Sequence, residues 1–79
     1  MIQSEKVKQW RTEVHADVVE AIKSSGRSQK DIAQELGIGQ PKVSEIVRRP
    51  AANFRLEYLL TLAEKLGVSV FFSQPVSAA

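Results

Sequence analysis

Between Gln40 and Arg49 the chain offers an amide, an ammonium, a hydroxyl, a carboxylate and two guanidinium groups: Gln40, Lys42, Ser44, Glu45, Arg48 and Arg49. This is hydrogen-bonding and charge-pairing chemistry, suited to recognising a polyanion rather than to breaking bonds. A Gln amide can bond adenine through two atoms, Lys can donate to guanine or phosphate, and Glu can accept from cytosine N4. Arg48 and Arg49 suit phosphate contacts, which position a protein without reading sequence. Each residue also has a plainer use. Gln40 could cap a helix, Lys42 could be a solvated cation, and Glu45 could pair with Arg48 or Arg49 on the same helix.

No constellation for covalent or acid–base chemistry accompanies them. His15 is the only histidine. It lies beside Val14 near an apolar stripe and is expected to pack there, partly buried, rather than act as a base. There are no cysteines, hence no disulfide framework and no thiolate metal site. No His/Cys cluster has metal spacing and no Ser or Lys adjoins a base. The Gly37–Ile38–Gly39 run reads as a turn, not a phosphate loop. The expectation is a protein that is not an enzyme and has no metal and no cofactor.

The formal net charge is only +2, but its placement is uneven. In residues 1–25, Lys6, Lys8, Arg11 and Lys23 balance Glu5, Glu13, Asp17 and Glu20. In residues 50–79, Arg55 and Lys65 balance Glu57 and Glu64. The excess lies in 26–49, where Arg27, Lys30, Lys42, Arg48 and Arg49 outnumber Asp31, Glu35 and Glu45. A local basic patch on a neutral body is what phosphate contact requires. A solvated helix face is the alternative reading.

Positioning such a patch requires helices. Seventy-nine residues with 43% hydrophobic content make one small domain, 1–79, with a modest core. Val7, Trp10, Val14, Val18, Ala21 and Ile22 recur at three and four, predicting a first helix over 4–25 that Gly26 ends. Trp10 reads as a core or interface residue. Ser28 and Asp31 resemble a capping box opening a second helix, which ends at Leu36 before Gly37. Pro41 fits only a first helical turn, so a third helix starts near Gln40, and Pro50 ends it.

Ile32, Ala33, Leu36, Ile38, Val43 and Ile46 give 26–49 the pattern of two short helices crossing over a bend. Gly37 supplies the left-handed residue the bend needs. If so, the outward residues between Gln40 and Arg49 face a DNA major groove. Leu56, Leu59, Leu60, Ala63 and Leu66 predict a fourth helix over 54–66, closed by Gly67. Val68, Val70, Phe71 and Phe72 then read as a strand over 68–73, followed by a tail at 74–79. A lone strand leaves its ladder groups unpaired, so pairing with a second copy is expected. A tail folded over the core is the other possibility. No apolar run approaches the ~20 residues of a membrane span, and the N-terminus is too polar for a secretory signal. A cytoplasmic protein without membrane contact is expected.

The stretches SQKDIAQELGIGQPKVSEIVRR (28–49) and FRLEYLLTLAEKLGVSVFF (54–72) resemble the Xre/Cro-type helix-turn-helix regulators. They are most similar to the small branch that includes HigA-like antitoxins. The resemblance spans 26–72, roughly three-fifths of the chain. It implies an all-α, four-helix lambda-repressor-like helix-turn-helix domain with a short C-terminal β-strand. It further implies that Gln29 holds a phosphate at the start of the second helix. Gln40, Lys42 and Ser44 match exposed recognition-helix positions, Pro41 a thymine-methyl contact and Glu45 a further base-facing position. Arg48 and Arg49 match positions where the chain meets the DNA backbone.

Three residues depart from the pattern. Arg27 stands at an apolar position, Gly39 where Ser or Thr often caps the recognition helix, and Arg55 where a hydroxyl often opens the fourth helix. The combined expectation is a homodimeric, autoregulatory repressor of transcription bound to double-stranded DNA. An antitoxin that chiefly neutralises a toxin protein partner, a ribonuclease, is the alternative.

Overall fold

A computed structural model describes residues 5–70 as four α-helices and one short 3₁₀ turn. The helices are α1 (Glu5–Ser24), α2 (Gln29–Leu36), α3 (Gln40–Arg48) and α4 (Leu56–Leu66). The 3₁₀ turn, Ala51–Asn53, joins α3 to α4. Helix α1 packs most extensively against α4, while α2 and α3 pack on each other. No helix among the described residues is long and apolar enough to cross a membrane.

The core follows the helical spacing. Val14, Val18 and Ile22 are buried from α1, Ile32, Ala33 and Leu36 from α2, Val43 and Ile46 from α3, and Leu59, Leu62 and Ala63 from α4. Leu56, Leu60 and Leu66 pack at its edge. Leu62, outside the stripe read from the sequence, is only 2% exposed.

Gly37 takes φ +72° and ends α2. Its N–H donates to Gln34 O at 3.3 Å and the Ile38 N–H to Ala33 O at 3.0 Å, the paired bonds of a Schellman cap. Any side chain at this φ is strained, which is why glycine stands here. From α4, Lys65 Nζ donates to Leu36 O at 3.1 Å, so a second helix helps satisfy the end of α2. At the other end of α2, Ser28 Oγ accepts from the Asp31 N–H at 3.1 Å. Arg27, at its apolar-type position, forms an ion pair with Glu35 rather than packing.

Helix α4 starts two residues later than the sequence pattern implied. Phe54 and Arg55 are extended (φ −128°, ψ 146° and φ −75°, ψ 148°). The reason is burial: extension carries the Phe54 ring inward, to 7% exposure, against His15 and Tyr58. Val68–Val70 follow Gly67 without strand pairing. The rest of the expected strand, 71–73, and the tail lie outside the described residues.

Pro50 ends α3 and creates a debt at Ile46. The Ile46 carbonyl would ordinarily accept from the N–H four residues on, and proline has none. His15 of α1 fills this role, with Nε2 2.9 Å from Ile46 O. A carbonyl only accepts, so Nε2 carries the proton. This bond ties the last turn of α3 to the middle of α1. His15→Ala is expected to destabilise the fold by about 1–2 kcal/mol. In a Pro50→Ala background, where residue 50 regains an N–H and Arg49, extended here (φ −91°, ψ 154°), is free to turn helical and aim it at Ile46 O, the same change should cost about 1 kcal/mol less. Urea unfolding of the four proteins measures this coupling, and equal costs would refute the substitution of one donor for the other.

Candidate nucleic-acid interface

Val43 and Ile46 anchor α3 with no exposed surface. At 3.6 residues per turn, Pro41, Ser44, Glu45 and Arg48 fall on the opposite side, with Gln40, Lys42 and Arg49 at its flanks. Gln40, Pro41, Lys42, Arg48 and Arg49 are exposed, and Ser44 and Glu45 are half-buried. One helix and the residue that caps its end therefore gather seven of the eight residues singled out from the sequence. The eighth, Gln29, is exposed at the first position of α2, the helix packed against α3. Ser28 satisfies the Asp31 and Ile32 N–H groups, through Oγ and its carbonyl respectively. The Gln29 and Lys30 N–H groups precede the first intrahelical bond.

The start of α3 rests on backbone alone. Gly39 is the N-cap, its carbonyl accepting from the Lys42 and Val43 N–H groups at 3.0 and 3.3 Å, and no side chain caps the helix. Pro41 in the first turn needs no donor partner.

The charges on α3 are organised around Glu45. Lys42 Nζ lies 3.2 Å from its Oε1 and Arg49 Nε 3.5 Å from its Oε2. Glu45 thus pairs with Arg49, one of the two readings open from the sequence, and with Lys42 as well. Arg48 turns elsewhere: its Nε donates to Ser44 Oγ at 3.2 Å.

Lys42 has a second set of neighbours. Its ammonium sits 5.7 Å from the ring centroids of both Phe54 and Tyr58. Those rings belong to a stack: His15 on Phe54 at 5.7 Å and 16°, and Phe54 on Tyr58 at 6.4 Å and 17°. A cation over ring faces is worth about 0.5–1 kcal/mol at exposed sites. Sequence reasoning missed Phe54 and Tyr58 as supports, because nothing local links residues 54 and 58 to residue 42. His15 is a packing residue with its Nε2 already engaged. Among the described residues no group of His, Cys, Asp or Glu could hold a metal ion.

The chain matches the family model of a helix-turn-helix domain over residues 1–73. It is also similar to a solved structure of a protein described as an XRE family transcriptional regulator. That similarity has a TM-score of 0.69 and 30% identity, covering 94% of this chain and 86% of the other. The chain belongs to the XRE-type helix-turn-helix family. No curated protein matches it.

In this XRE-type domain, α2, the Gly37–Gly39 turn and α3 form the helix-turn-helix, and α1 and α4 form the scaffold behind it. Gly39 is the weak point of that unit, since its conformation (φ −75°, ψ 153°) is open to any residue. A Cβ there would meet only Pro41 Cδ, at an ordinary 3.6 Å. Gly39→Ser supplies the missing cap and restricts the unfolded chain. It is expected to stabilise the protein by about 0.5–1 kcal/mol, read as a raised urea midpoint with an unchanged slope.

Proposed function

We propose that the chain is a transcriptional repressor that binds double-stranded DNA as a homodimer, with α3 in the major groove. The observation that carries this reading is the split of α3 itself. Val43 and Ile46 are fully buried, while seven residues fitted to bases or phosphates occupy the free side and its flanks. Gln40 bonds adenine and Pro41 packs against a thymine methyl, with Ser44 and Glu45 the other base-facing groups. Arg48 and Arg49 meet phosphates where α3 ends, and Lys42 adds positive charge at its flank. Gln29 holds a phosphate through its side chain and backbone N–H at the start of α2.

Dimer formation through 68–73 brings two α3 helices to successive major grooves. The operator then consists of inverted half-sites with centres about 34–36 Å apart, roughly 10 bp. A repressor seated over the promoter of its own gene blocks polymerase there.

Footprinting on the DNA upstream of the gene tests this reading. A two-fold symmetric protected site is expected, lost in the Gln40→Ala/Lys42→Ala variant. In the same assay Arg48→Ala/Arg49→Ala, which removes two phosphate contacts from each protomer, should keep the base preference and flatten the log–log salt dependence by about 4. Absence of protection, or equal binding by the Gln40/Lys42 variant, would overturn the reading. The antitoxin alternative would then be examined through co-purification with the product of the neighbouring gene.

A further inference from the structure

We propose that Glu45 is the residue through which this domain selects a cytosine, and that Lys42 and Arg49 offset its charge so that it can approach the DNA without a large loss of general affinity. The proposal rests on the DNA-binding reading above and names the base that one side chain reads.

A carboxylate on a helix that approaches DNA faces a dense array of phosphates and is repelled by them. It also lies past the middle of α3, on the side where the helix dipole disfavours negative charge. Ion pairs between half-exposed groups contribute little to stability, so folding gives no strong reason for Glu45 to be there. General DNA affinity would be higher without it. What a carboxylate does supply is discrimination: it accepts from the N4 amino group of cytosine, is repelled by the acceptors of guanine and thymine, and at adenine meets the N7 lone pair beside the N6 amino group.

The geometry removes the obstacle to that contact. Each oxygen of Glu45 has a cation beside it, Lys42 at 3.2 Å and Arg49 at 3.5 Å. An ionised carboxylate has about four lone-pair sites, so two such contacts leave acceptor capacity for a base. Lys42 neutralises from the flank, because its ammonium is held over the Phe54 and Tyr58 rings. Glu45 itself remains about one-third exposed on the free side of α3.

Selection of binding sites from randomised duplexes, by wild type and by Glu45→Gln, tests the proposal. Wild type should select cytosine at one position per recognition helix. Glu45→Gln should shift that position to adenine, since a Gln amide pairs with adenine, by about tenfold. Lys42→Met should keep the cytosine and bind every site more weakly. As a second arm that needs no variant, placing thymine for that cytosine should weaken wild-type binding about tenfold. If Glu45→Gln selects the wild-type motif and binds all sites more tightly by one common factor, the carboxylate is only a brake on affinity and the proposal is wrong. A wild-type protein that selects no motif at all would instead remove the DNA-binding reading, and this proposal with it.

Discussion

A nine-residue helix is marginal in water by itself, so α3 depends on what its neighbours do for it. Two side chains, Val43 and Ile46, carry its burial. Fully burying such residues contributes roughly 1.5–3 kcal/mol each, and only while α1, α2 and α4 stay packed around them. The ends of α3 add little: a glycine N-cap without a side chain at one end, a proline that withdraws a donor at the other. The His15 bond to Ile46 O therefore matters more than one hydrogen bond usually does. It satisfies a carbonyl that the local chain cannot satisfy and fixes α3 against the longest helix of the domain.

The aromatic stack extends that dependence to the surface. His15 lies against Phe54 and Phe54 against Tyr58, so one series of rings links α1, the entry to α4 and α4 itself. Lys42 of α3 rests on the last two rings and also pairs with Glu45. The same extended backbone at Phe54 and Arg55 that delays α4 also places the ring that supports Lys42. Backbone conformation at the α3–α4 junction and charge placement on the exposed helix are thus one problem, solved together.

Much of this was legible in the chain. Apolar spacing located α1, α2 and α3 to within about a residue, Gly37 marked the left-handed turn, and Pro41 and Pro50 bounded α3. These are local matters: helical periodicity, the absence of a Cβ and the absence of an N–H act within a few residues of where they occur. The candidate residues of 40–49 were equally legible, since one short helix with two buried positions must turn the others outward.

What only the tertiary structure decided joins residues distant in sequence. The sequence could place His15 on a stripe but not at the carbonyl that Pro50 orphans, 31 residues on. It could identify Lys65 as a cation in the last turn of α4 but not as a donor to Leu36 O. It read Phe54 as the first residue of a helix, where burial against His15 and Tyr58 holds it extended instead. Each of these is a competition between local propensity and a contact that exists only after helices have packed. The chain by itself determined which segments are helical and which face of each is apolar. Packing decided which polar groups those helices present to one another, because that depends on where their ends meet in space.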